Sequence, residues 1–398
     1  MVKKSDFIWN TLGSGISAIL SAVLLLLATR INGTYAAGMF SIAFATATIL
    51  NGIGDYGIRL YQVTDSKRMY KFGEYKALRF IVVLIMIIIG VVFVFVSGYE
   101  LEKLLICICL VLFKAIDNLS DTYQGEFQLQ DRLNISGKSI VIRNTIAIIL
   151  FGITNYATRN LVLSTFILFI TNLILFVLYD KNKIKKYTNE KMNFNKKTLK
   201  ILLKECFPVC ISTLLSMYVT NAVKYAIDST GDYDMQTYYN IIYLPVFTIN
   251  LACLFIIKPM LKSFGDYWNS GKTDKLTKLI IKILLIIIVI SIIVELVCYL
   301  IGIQVLEFVY GVNLENYKTD LLILILSGMF YAISVLMWSI TVTIRKQKTT
   351  TIVYGIVSVI ALVITNIFVK KLRNEGRKYS KCNNNIFTCN RIVNNLYS

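Results

Sequence analysis

Charged residues recur at helical spacing inside stretches of this chain that are otherwise apolar. Asp55 and Arg59 stand four apart, which places them on one face of a helix, acid first. Lys114, Asp117 and Asp121 follow an i, i+3, i+7 pattern, and Gln124 and Gln128 prolong the polar stripe. Lys224 and Asp228 repeat the four-residue spacing, Arg143 and Arg30 lie near the ends of apolar stretches, and Glu295 stands deep inside one. A charge within a membrane span costs about 2.5–3.5 kcal/mol on insertion scales, so such groups face a bundle interior or a wet cavity. The chemistry they could perform is anion capture. A phosphate group cannot enter hydrocarbon unpaired, and Arg59, Lys114, Lys224, Arg30 and Arg143 could give it charge-assisted hydrogen bonds. Asp55, Asp117, Asp121, Asp228 and Glu295 could balance those cations or couple to an ion, and with Tyr218 and Tyr225 they could meet a hydroxyl-rich ligand. The plainer alternative is local pairing, or snorkelling to the headgroups, which suits the terminal Arg30, Arg143 and Lys258.

Catalysis finds little support. The chain has no histidine, so no nucleophile–histidine pair exists, and no glycine loop of the phosphate-cradling kind is present. Six of its eight cysteines lie in apolar segments, where free cysteine behaves as a small hydrophobe. Cys206 and Cys210 share a helix face, but without a histidine or clustered acid beside them packing is favoured over metal binding. Neither a cofactor nor a disulfide framework is expected.

The elements that position these groups are membrane helices. Of 398 residues 56% are hydrophobic and only 16% charged, against roughly 25% charged in soluble domains. The apolar residues fall in blocks near the ~20 residues that span a bilayer as a helix. Eleven spans are expected: 8–29, 36–60, 80–97, 104–127, 140–157, 161–179, 203–227, 238–261, 279–302, 321–343 and 351–369. The basic residues behind the net charge of +19 sit mostly in every second inter-helix loop, about 27 Lys/Arg on one side against about four on the other outside the tail, as the positive-inside rule requires, and not on a domain face that would bind nucleic acid. The N-terminus is then cytoplasmic, and Met1-Val2-Lys3-Lys4 leads into a retained helix without a cleavage site. On this topology Arg59 lies near the cytoplasmic mouth, Lys114 near mid-membrane and Lys224 near the outer mouth. The domain plan is a six-helix lobe over 1–180, a basic cytoplasmic linker over 181–202, a five-helix lobe over 203–369, and a polar tail over 370–398. That tail, with Lys370-Lys371 and Asn383-Asn384-Asn385, would lie outside, against the charge rule. It reads as an external disordered tail, as a sign of a miscounted span, or, the favoured reading, as out-of-frame sequence in place of a twelfth span.

Ordered motifs carry a family resemblance over roughly residues 5 to 370. Trp9-Asn10-Thr11-Leu12-Gly13-Ser14, Thr29-Arg30 and Gly38-Met39-Phe40-Ser41-Ile42-Ala43 open the chain. Gly57-Ile58-Arg59, Tyr61-Gln62-Val63-Thr64-Asp65, Ala115-Ile116-Asp117 and Gln124-Gly125-Glu126-Phe127-Gln128 follow. Lys224-Tyr225-Ala226-Ile227-Asp228 and Tyr243-Leu244-Pro245-Val246-Phe247 continue the series, which ends at Lys258-Pro259. Together they resemble the Wzx-type O-antigen and capsule flippases of the multidrug/oligosaccharidyl-lipid/polysaccharide exporter superfamily.

The resemblance implies an all-α, polytopic bundle of two pseudo-symmetric lobes that alternate between inward- and outward-open states in a bacterial cytoplasmic membrane. It implies an undecaprenyl-pyrophosphate-linked oligosaccharide as cargo, with a polysaccharide polymerase and a chain-length regulator as companions in the pathway. Two rivals make different demands. A drug or cation exporter of the same superfamily would favour acidic and aromatic cavity residues, against which Arg59, Lys114 and Lys224 count. An integral-membrane polymerase would carry a large outer loop, and the expected outer loops are short.

Overall fold

The computed structural model describes residues 4–64, 68–229, 231–343 and 352–360, and every regular element among them is helical. The first half contains α1 (Lys4–Asn32), α2 (Thr34–Asp55), the short α3 (Ile58–Thr64) and α4 (Phe72–Val96). It continues through α5 (Leu101–Leu129), α6 (Leu133–Thr158) and α7 (Leu161–Leu175), which passes through a wide π turn at Phe176–Asp180 into α8 (Lys181–Ile184). The second half contains α9 (Lys196–Asp228), α10 (Tyr233–Ile242), α11 (Leu244–Asn269), α12 (Thr273–Val297), α13 (Ile303–Tyr310) and α14 (Lys318–Thr343).

Helix α4 shows why the bundle belongs in a bilayer. It buries Val82, Val83, Met86 and Val94 on one face and leaves Leu84, Ile88 and Val92 exposed on the other. A helix apolar all round, with one face uncovered by protein, is stable only against hydrocarbon. The same holds for α12, whose Leu285, Val289, Ile292 and Leu296 are exposed. Among the described residues eight helices are long and apolar enough to cross a membrane. The 29-residue α5 is as long as α1 but carries Lys114, Asp117 and Asp121 inward.

In the first half α1 lies along α6, both α2 and α4 lie along α5, and α7 packs on α5 and α6. In the second half α11 packs on α12 and α14. The lobes meet where α2 lies against α9 and α10, and one apolar core runs through both, from Phe40 and Phe151 to Ile249 and Leu321.

Several element boundaries differ from those expected. The second span does not run unbroken to residue 60, because Tyr56 and Gly57 adopt φ of 49° and 70° and end α2. That left-handed pair suits Gly57, and the Asp55 carboxylate accepts the Gly57 N–H at 3.3 Å. Asp55 and Arg59 therefore do not share a helix face. The expected eighth span is also divided, at Tyr243, with Pro245 in the first turn of α11, where its missing N–H costs least. Helices α4, α5 and α6 begin eight, three and seven residues before the expected spans, at Phe72, Leu101 and Leu133, because charged turns extend beyond the apolar blocks. Of the eleventh span, residues 352–360 are helical; its remainder and the tail after Val369 lie outside the described residues.

Candidate functional site

Polar side chains from α1, α2, α3, α5 and α6 line a chamber of about 300 Å³ in the first half. The stripe on α5 supplies Lys114, Asp117, Asp121 and Gln124, as its spacing predicts. Arg59 reaches across from α3, its Nη1 donating to Asp121 at 2.6 Å and to Gln124 at 3.1 Å, while its Nη2 donates to Gln128 at 3.1 Å. Arg143 is 3% exposed and does not snorkel: it pairs with Asp117, meets Asp180 at 3.4 Å and donates to Asn172 at 2.6 Å. Lys114 lies 3.6 Å from Asp117.

A residue missed by sequence reasoning organises this network. Arg79 of α4 is 1% exposed and binds Asp121 at 3.0 Å, Asp55 at 3.7 Å and Thr122 at 2.7 Å. It also donates to the carbonyls of Gly54 and Asp55, capping the end of α2 where a cation suits the helix dipole. Asp55, expected to hold Arg59, faces Arg79 instead. Asp180, likewise missed, is fully buried and accepts from Ser120 at 2.5 Å. Arg59, Arg79, Lys114 and Arg143 thus stand among Asp55, Asp117, Asp121 and Asp180, and the formal charges cancel. Uncompensated charges would be costly at this depth, which accounts for the balance.

A second, larger chamber of about 540 Å³ lies between the halves. Its wall combines hydroxyls and amides (Thr48, Ser216, Asn221, Asn250) with the aromatic rings of Tyr243, Tyr331, Trp338 and Tyr354. Lys224 contributes the cation, and among the described residues no carboxylate pairs with it. The two chambers are neighbours along shared helices. Ser17 lines the first and Ser21 the second on α1, and on α2 Asn51 lines the first and Thr48 the second. Between them the Lys114 ammonium lies 5.2 Å from the Phe44 ring, and Phe44 forms part of the second wall.

Asp228, expected to hold Lys224, instead joins the two halves. Its carboxylate accepts from Lys103 of α5 at 2.5 Å, and Lys103 is 2% exposed, with the Tyr99 ring 3.7 Å away and the Tyr233 hydroxyl at 3.3 Å. Nearby, Thr237 donates to the Thr34 carbonyl at 2.7 Å, and a Cβ on Gly38 would collide with the backbone of Tyr233. Arg30 belongs to this end of the contact between the halves too and lines neither chamber: it donates to the carbonyls of Phe308 and, at 2.8 Å, Val309, capping α13. Glu295 is half-buried on α12 and lines neither chamber. Cys210 packs against α2, its Sγ 3.7 Å from the Gly52 carbonyl, and among the described residues no cluster could hold a metal ion.

Comparison with known proteins agrees with this architecture. The chain is 24% identical over 352 residues to the capsular polysaccharide biosynthesis protein CapF of Staphylococcus aureus, covering 84% of this chain and 85% of that one. The inward-facing structure of a multidrug resistance MATE family transporter of the MOP superfamily superposes with a TM-score of 0.59 at 13% identity, over 92% of this chain and 99% of that one. The Vibrio cholerae MATE transporter VcmN in its bent form gives 0.57 at 12% identity, over 92% and 95%. The fold is therefore the two-lobed helical bundle of those transporters. The match to the family model for polysaccharide biosynthesis proteins runs from residue 4 to 262, and this multi-pass membrane protein belongs to that family.

Proposed function

We infer that the chain moves undecaprenyl-pyrophosphate-linked oligosaccharide repeat units across a bacterial cytoplasmic membrane by alternating access, without catalysing a reaction. The observation that carries this reading is Lys224, a cation without a carboxylate partner among the described residues, in an inter-lobe chamber walled by hydroxyls, amides and aromatic rings. An ammonium ion is a point charge suited to a phosphate, and the aromatic and amide groups suit the faces and hydroxyls of sugars. The first chamber is a relay. Arg59 and Asp121 are each about a quarter exposed, at 24% and 26%, so an arriving pyrophosphate can replace the carboxylate at Arg59. An exporter of organic cations would want an acid where Lys224 stands.

The reading includes a cytoplasmic N-terminus and lobes over 1–180 and 203–369 joined by the basic linker 181–202. It places the chain beside a polysaccharide polymerase and a chain-length regulator. Its test is surface polymer display with lipid-linked repeat units measured in parallel. Lys224→Ala should abolish display and leave repeat units accumulating, while Lys224→Arg should keep part of the activity. Full display with Lys224→Ala would refute it.

A further inference from the structure

Arg79 has a second environment. Its guanidinium serves the polar chamber, but the residue also lines a separate cavity of about 190 Å³ at the linker end of the first half. Phe80, Leu119, Phe176 and Met192 give that cavity apolar walls, and Lys76 and Lys181 bring it two more cations. No carboxylate is among its lining residues.

The linker helps to build it. Gly73 donates its N–H to Glu190 at 2.9 Å, Asn193 donates to the Gly73 carbonyl at 3.0 Å, and Lys76 donates to the Glu190 carbonyl. These bonds hold the linker against the first turn of α4 and bring Met192 to the cavity wall. Phe80 and Met192 are each 44% exposed, and every residue lining the cavity comes from the first half or the linker, so the cavity opens on the surface of the first half and not between the halves. The donors of Arg79 are already committed to Asp121, Thr122 and the end of α2. Lys181 is exposed and pairs with no carboxylate among the described residues.

The arrangement is amphiphilic: ammonium groups beside an apolar slot, at the end of the bundle where the linker lies. A free phosphate would gain the charges and waste the walls, and a neutral lipid would do the reverse. We propose that this cavity binds the headgroup and upper acyl chain of an anionic glycerophospholipid from the leaflet that adjoins the linker. Its occupant would rest against Arg79 and Thr122, and Arg79 is paired with Asp55 and Asp121 of the polar chamber.

The test uses the purified full-length chain in detergent, titrated with phosphatidylglycerol, phosphatidylethanolamine and inorganic phosphate, with bound lipid read by native mass spectrometry. Phosphatidylglycerol should bind in preference to phosphatidylethanolamine, and inorganic phosphate should not displace it. Replacing both lysines (Lys76→Gln with Lys181→Gln) should weaken phosphatidylglycerol binding roughly 25-fold, at about fivefold per lysine. Met192→Trp, which fills the slot and leaves the charges, should weaken it as well; this variant and the phosphate competition decide the matter if the glutamine variants fail to fold. Undiminished phosphatidylglycerol binding by either variant would overturn the proposal. Displacement of the bound phosphatidylglycerol by inorganic phosphate would make this a free-phosphate site and would overturn it too.

Discussion

Replacing Asp228 by asparagine keeps the shape of the side chain and removes the charge that neutralises Lys103. In the structure Lys103 is 2% exposed and its ammonium lies 2.5 Å from that carboxylate, so the variant leaves a buried cation with a neutral amide oxygen, the Tyr99 ring and the Tyr233 hydroxyl, and no counter-charge. Breaking a buried pair by removing one partner costs about 3–5 kcal/mol. The Asp228 side chain is 12% exposed, which argues for the lower end, about 3 kcal/mol. Because the pair joins α5 of one half to α9 of the other, the cost falls on the state in which this end is closed. When the halves separate, Lys103 is hydrated and loses nothing. A penalty of about 3 kcal/mol shifts the closed–open equilibrium by roughly 100-fold. Hydrogen exchange of the backbone in α10 and α13 reads that shift directly, since both helices are bonded across the halves at this end. Asp228→Asn should accelerate exchange in both. Lys103→Met combined with Asp228→Leu, which removes both charges, should restore much of the protection, because an apolar pair tolerates burial. Unchanged exchange in Asp228→Asn, or a double variant as open as the single one, would refute this account of the closed end.

Other consequences are as open to measurement. Arg79→Lys should lower thermal stability in detergent by about 3 kcal/mol or more, because one ammonium cannot replace a guanidinium that serves Asp121, Thr122 and two carbonyls together; a melting temperature equal to wild type would show those bonds to be dispensable. Gly38→Val should force α10 away from α2 and speed exchange in α10, whereas wild-type protection would show that the close approach can relax. Asp121→Asn should tighten farnesyl pyrophosphate binding by releasing Arg59 from its carboxylate, and unchanged affinity would count against phosphate reaching the polar chamber.

Apolar blocks near the length of a bilayer span made the bundle legible, and the i, i+3, i+7 stripe on α5 made one wall of the polar chamber legible. Pairing was not. Local spacing matched Asp55 with Arg59 and Lys224 with Asp228, but the left-handed turn at Tyr56–Gly57 turns Arg59 toward α5, and Asp228 ends α9 where Lys103 arrives from the other lobe. The choice of partner is tertiary, and spacing along one helix carries no information about it. Arg79, Lys103 and Asp180 escaped notice for a simpler reason. Each lies just outside an apolar block, and hydropathy marks where the block ends, whereas the helix and its burial run further.

The cancelled charges of the first chamber bear on how the protein responds to voltage. A charge carried through the full membrane field exchanges about 2.3 kcal/mol for every 100 mV. Under the proposed alternating access, Arg59, Arg79, Lys114 and Arg143 would move together with Asp55, Asp117, Asp121 and Asp180, to which they are paired, so the field would do no net work on that set. The joined pair of Lys103 and Asp228 contributes nothing either. Among the described residues that line the chambers it is Lys224 that would give the empty carrier a net charge to displace, and a bound dianion would reverse its sign. The loaded and empty strokes would then respond to membrane potential in opposite directions.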